Sequence, residues 1–184
     1  MNKALVCIDF INEIVGENGK LAARGNYEFV KKHNTLAFLA KFQSEFRESG
    51  GQVIHVHLGF EKNYIDHPAL SPLLGPIRNA GILKINTFST TIPEIVAPCE
   101  CDVEIIKKRI SAFYGTDLDI VLKSINVTQL FIAGVATDLA VQSAARDAHD
   151  RDYLVTVVAD ACAAADDEAH QSAIKNISKF AKIL

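Results

Sequence analysis

Apolar positions along the chain fall into blocks of two alternating periods. Residues 4–10, ALVCIDF, are apolar on both faces until Asp9. An unbroken apolar strand belongs to a parallel sheet covered by helices on both sides. The pattern lapses over 12–25, where Gly16, Gly19 and Gly25 fit a long surface connection. Residues 27–47 keep helical spacing at Phe29, Val30, Leu36, Leu39, Ala40, Phe42 and Phe46, and Gly50-Gly51 ends that helix. QVIHVHL (52–58) predicts a second strand and DVEIIK (102–107) a third. Residues 59–101 between them are irregular and hold all 5 prolines, so a lid or an oligomer contact is expected there, with a short strand near 82–85. A helix at 116–124 carries Leu118, Val121 and Leu122 on one side.

The stretch around which the rest is organised is 131–148, FIAGVATDLAVQSAARDA. The apolar run TQLFIAGV breaks at Gly134, and helix-spaced Leu139, Val141, Ala144, Ala145 and Ala148 follow from Thr137, the expected N-cap. A strand at 153–159 and a helix at about 167–180 complete the pattern. Strands alternating with helices predict a doubly wound α/β fold, its sheet mainly parallel and flanked by helices. No repeat or low-complexity segment interrupts residues 1–184, which are read as one domain.

Composition narrows the partners. Hydrophobic residues make up 49% of 184 and charged residues 22%, with a net charge of −3. Neither nucleic acid nor an anionic membrane is favoured by that balance, and no apolar run is long enough for a membrane span. The first strand begins within a few residues of the start, which leaves no room for a signal peptide. Cys7 and Cys162 read as buried thiols, and Cys99 and Cys101 form a C-x-C without a second pair for zinc. A cytoplasmic setting follows from that cysteine usage.

In open α/β sheets, ligands bind beyond the carboxyl ends of strands where the strand order reverses. Asp9 closes the first strand, Lys107 closes VEIIK, and the turn GVATDLA follows LFIAG. A strand-to-helix turn aims free backbone N–H groups at one point, which can hold an anion or an oxyanion. Each feature has a plainer alternative: Asp9 as a loop cap, and Lys107 with Lys108 and Arg109 as a solvated basic cluster. His55 and His57 share a strand face at metal-site spacing, but no acidic ligand stands near them in sequence, and a structural role is preferred. No G-x-G-x-x-G fingerprint or phosphate loop is present, and no cofactor or metal is expected.

With these segments in view, the chain resembles the isochorismatase-like cysteine hydrolases over nearly its whole length. The resemblance rests on VCIDFINEI, VEIIKKRISAFYGTDLD and FIAGVATDLAVQSAARDA, in that order. It implies a parallel sheet flanked by helices, a homo-oligomer (dimer or tetramer), and hydrolysis of small amides, ureides or the vinyl ether of isochorismate. It places the family's Asp, Lys and Cys at Asp9, Lys107 and Ala140. It further implies a cis peptide at Val135-Ala136 and an oxyanion-type hole from the N–H groups of Ala136 and Ala140. Val135, Ala136 and Thr137 would then polarise a substrate oxygen. Phe10, Phe113 and Tyr114 could wall the pocket, or serve simply as core.

Alanine cannot form a thioester, so covalent amide hydrolysis through residue 140 is excluded. Cys7 and Ser143 are the nearest substitutes, each poorly placed: one pleat deep in the strand, or a turn into the helix. The nicotinamidase-type metal cluster is also missing, since HVHLGF is followed by EKNY. Isochorismatases of the family likewise lack the cysteine, and there a protonated Asp9 would deliver its proton to a vinyl ether carbon. The turn GVATDLA nevertheless resembles the amidase branch. Two functions stay open: a non-covalent hydrolase of a small metabolite, with Asp9 as acid/base and Lys107 as its partner, or a catalytically silent binding or assembly module.

Overall fold

The computed structural model describes residues 2–184. Six strands form one sheet: β1 (Asn2–Ile8), β2 (Gln52–Leu58), β3 (Val103–Lys107), β4 (Val127–Val135), β5 (Leu154–Ala163) and β6 (Lys182–Ile183). Their spatial order is β3-β2-β1-β4-β5-β6, and every pairing is parallel. The helices are α1 (Asn12–Val15), α2 (Asn26–Lys32), α3 (Thr35–Glu48), α4 (Ile77–Ala80), α5 (Leu118–Ser124), α6 (Gln142–His149) and α7 (Asp167–Ile177).

The apolar runs explain the layering. In β1, Leu5 and Cys7 face one core with Phe29 of α2 and Leu39 and Phe46 of α3. Ala4, Val6 and Ile8 face the other, with Leu118 and Leu122 of α5 and the alanines of α6. Strands buried on both faces need covering on both, which gives a three-layer α/β fold. The edge strand β3 departs from this pattern: Glu104 and Ile106 point outward into solvent. The chain moves outward from β1 to β3, then returns to start β4 on the other side of β1. That reversal places the switch point between the carboxyl ends of β1 and β4.

Several elements differ from the expected ones. The helix expected over 27–47 is two, because Asn34 takes a left-handed φ of 52°. Asparagine tolerates that conformation where most residues do not, and the apolar spacing continues across the break. No strand forms near 82–85; an isolated bridge joins Phe60 to Lys84 instead. Thr137 is not an N-cap. Ala136 takes that position, and residues Thr137–Val141 make a π-turn that leads directly into α6. The Thr137 hydroxyl is used inward, 3.0 Å from the Ala163 carbonyl and 2.9 Å from His170 Nδ1.

Candidate active site

Asp9 is the first residue beyond β1 and takes a φ of 60°. Its N–H donates to the Val56 carbonyl at 3.0 Å, which ties the turn to β2. The carboxylate is only 4% exposed. Its Oδ1 accepts from the Leu58 N–H at 2.7 Å, and its Oδ2 lies 2.7 Å from Lys107 Nζ. Lys107, 1% exposed, also donates to the carbonyls of Arg109 at 3.1 Å and Ile110 at 3.0 Å. An ammonium has three N–H donors, and these three acceptors use all of them. Lys107 therefore stands apart from a solvated basic cluster. Its neighbours turn elsewhere: Lys108 bonds Asp66 at 2.7 Å and the Gly59 carbonyl at 2.8 Å, and Arg109 bonds the Asp66 carbonyl at 3.0 Å. Burial, the largest influence on Asp66, pushes its carboxyl up, but the Lys108 ammonium and the Glu61 N–H outweigh it and hold it low.

The other half of the site is the turn after β4. Gly134 is required where β4 passes β1, since a Cβ there would lie 2.8 Å from Ile8 Cβ and 3.0 Å from Val141 Cγ2. The Val135-Ala136 peptide is cis. The Ala136 carbonyl accepts from both Leu139 and Val141 at 3.2 Å. Among the described residues, the N–H of Ala136 meets no protein acceptor, and Ala140 follows it in the π-turn that lines the same hollow.

Between these halves lies a cavity of about 210 Å³. Asp9, Lys107, Val135, Ala136 and Ala140 all line it. Ile14, Leu21, Leu58, Leu73, Leu74 and Ile77 give it hydrocarbon walls, the last three from the proline-containing region. That region is fastened by Glu13 of α1. Glu13 Oε1 accepts from the N–H groups of Lys20 at 2.8 Å and Leu21 at 3.2 Å, while Oε2 accepts from Ser89 Oγ at 2.7 Å.

Phe10, Phe113 and Tyr114 do not line the cavity. Phe10 is packed in the core with α2 and α3. Phe113 is buried in the opposite core, with the Arg151 guanidinium 4.7 Å from its ring centre. Tyr114 is 68% exposed on the surface. Thr137 sits behind the turn rather than in the hollow, so its part is to hold the turn in place.

Among the lining residues that the sequence did not mark as part of a site are Arg24, Asn26, Asp138 and Leu139. Asp138 and Leu139 belong to the recognised turn. Arg24 and Asn26 flank Gly25 in a stretch without periodicity, and that glycine was their one signal.

Neither substitute nucleophile is placed for the task. Burial pushes the Cys7 thiol up to about 12, and Gln43 bonds its sulfur at 3.3 Å. Ser143 does not line the cavity. His55 and His57 are buried in β2, and desolvation holds both imidazoles below their ordinary value against the opposing charges of Asp102 and Asp9 respectively. Among the described residues, no group of three or more His, Cys, Asp or Glu side chains stands together as a metal site.

Comparison with known proteins agrees with the geometry. The family model described as Isochorismatase domain matches residues 3–184. The uncharacterized isochorismatase family protein YecD of Escherichia coli O157:H7 is 32% identical over 137 residues, covering 74% of this chain and 71% of that protein. The ureidoacrylate amidohydrolase RutB of Rhizobium rhizogenes is 27% identical over 190 residues, covering 96% of this chain and 77% of that one. The crystal structure of an isochorismatase-like hydrolase from Alkaliphilus metalliredigens superposes with a TM-score of 0.84 at 26% identity, over 100% of this chain and 94% of its own.

Proposed function

The chain belongs to the isochorismatase family, and from that premise we propose that it hydrolyses a small carbonyl-bearing metabolite without a covalent enzyme intermediate. The observation that carries the reading is the buried Asp9–Lys107 pair facing, across one cavity, the turn at Ala136 and Ala140, in which the Ala136 N–H has no protein acceptor. In this proposal water attacks the carbonyl carbon, and Asp9 takes the proton that water loses. The carbonyl oxygen gains the electron pair and is received at that turn by the Ala136 N–H. When the tetrahedral centre collapses, the carbon–nitrogen bond breaks and Asp9 returns the proton to the departing nitrogen. The products are an acid and an amine from an amide, or a carbamate and an amine from a ureide.

Lys107 acts by charge alone, because its donors are spent on Asp9 and two carbonyls. The same bonds speak against a proton-first attack on a vinyl ether. Both Asp9 oxygens accept hydrogen bonds, so in this proposal Asp9 enters the cycle as the acceptor of water's proton and gives a proton up only afterwards. A homo-oligomer and a cytoplasmic setting belong to the same proposal. The rival, a silent binding module, draws on Ala140, which offers only a methyl group to the cavity.

A panel of small amides and ureides, with isochorismate included, tests the reading. We expect turnover of at least one carbonyl substrate, with kcat/KM lowered about 100-fold or more in Asp9→Asn. Ligands that raise the melting temperature without any turnover would instead establish the binding module.

A further inference from the structure

Resting on the hydrolase reading above, we propose that Arg24 forms a subsite for an acid group, with Asn26 beside it to accept a ligand N–H. The substrate would then be a small, apolar-bodied acid whose carboxylate lies away from the carbonyl under attack.

Asp9 and Lys107 neutralise each other, and Lys107 has no N–H left for a ligand. Two other charged side chains line the cavity, Arg24 and Asp138. Asp138 stands in the first turn of the π-turn, where the N–H groups at the head of a helix answer its charge. Arg24 has no such compensation. Among the described residues its guanidinium makes no hydrogen bond or ion pair, although it offers five donors in a planar fork that matches a carboxylate.

Arg24 is exposed, and the local backbone fixes where its side chain begins. Arg24 ends a 3₁₀ turn, its N–H donating to the Leu21 carbonyl at 3.1 Å. Gly25 follows with a φ of 116°, so close to Ala165 that a Cβ would lie 2.1 Å from its carbonyl oxygen. Arg24 and Asn26 are thus held on either side of an immovable residue, and both reach the same cavity. Asn26 supplies an independent sign. Its Oδ1 is buried and has no hydrogen-bond partner. A buried acceptor left unmatched is costly, and a ligand N–H would satisfy it.

The cavity therefore offers donors at two places: the Arg24 guanidinium and the Ala136 N–H. It offers an acceptor at Asn26, with hydrocarbon between. Its volume, about 210 Å³, suits a small acid.

The test compares matched pairs by calorimetry and by turnover: N-acetylvaline against N-acetylvalinamide, and N-carbamoylvaline against its primary amide. We expect the wild-type chain to bind each acid at least tenfold more tightly than its neutral twin. Arg24→Gln should reduce that ratio to about one, and Arg24→Lys should keep part of it. A ratio near one in the wild type, a ratio that survives Arg24→Gln, or no binding by any of the four overturns the subsite. The hydrolase reading is judged apart. Preferential binding of acids with no turnover keeps the subsite and removes the hydrolase, whereas Asp9-dependent turnover without acid preference does the reverse.

Discussion

A side chain at this site is best understood through what its partners leave free. Lys107 is held by three acceptors and Asp9 by two donors, both residues beyond the reach of solvent. Lys107→Met should therefore cost about 3–5 kcal/mol in urea unfolding, since it strands a buried carboxylate. The double variant Asp9→Asn/Lys107→Met should lose less than the two single losses added together; strict additivity would show that the pair is not coupled. Ala140 permits the opposite experiment. In a background with Cys99 and Cys101 changed to serine, Ala140→Cys places a thiol in the same turn as the unmatched Ala136 N–H. Its alkylation rate should rise through a pKa below the ordinary 8.5, and a midpoint at 8.5 or above would mean the turn does not stabilise an anion. Asp9 and Lys107 were legible in the sequence because each closes an apolar strand. Arg24 and Asn26 were not, because no periodicity marks the loop that carries them. Phe10 and Phe113, for which the sequence allowed wall or core, pack into the two cores.

At the scale of the element, most of the framework follows from apolar spacing and the exceptions follow from single residues. Spacing reads straight through 27–47 because both α2 and α3 face the same core, yet Asn34 divides them. Thr137 looked like a cap because its hydroxyl precedes an apolar face, but tertiary contacts with Ala163 and His170 claim that hydroxyl. Gly25 is another single-residue control. Gly25→Ala combines a disfavoured φ with a 2.1 Å approach to the Ala165 carbonyl oxygen. It should cost about 2–4 kcal/mol. Amide exchange should quicken at Lys20 and Leu21, whose N–H groups Glu13 now holds. A variant of unchanged stability and protection would show that the loop can move away from Ala165.

For the whole molecule, burial of histidines sets the response to pH. Desolvation holds His55, His57 and His170 below their ordinary value, with neighbouring carboxylates opposing it and, for His170, His33 reinforcing it. The unfolded chain takes up these protons near pH 6.5, whereas the folded chain does so only at lower pH. Stability is thus full above about 6.5 and falls as pH drops from there towards the folded values, by up to about 1.4 kcal/mol per pH unit for each histidine. Asp102 acts in a different window. Burial pushes its carboxyl up, but bonds from Arg47 and the Cys99 N–H outweigh that and hold it low, so its contribution is lost only below the usual carboxylate range. Urea midpoints should accordingly be lower at pH 5.5 than at pH 7.5; equal midpoints would mean that the three imidazoles protonate freely in the folded state. The doubly wound parallel sheet was legible from alternating periods, while the short β6 was not, because two residues carry no pattern.

The strand order has a consequence for how the protein comes into being. A ribosome delivers Asp9 long before Leu58, and Leu58 long before Lys107, while the turn at Ala136 arrives last of all. No nascent fragment that stops short of β4 can hold a ligand between the two halves. Occupancy of the hollow therefore reports completed folding rather than any local rearrangement, and a bound metabolite should slow global unfolding, not merely quieten one loop.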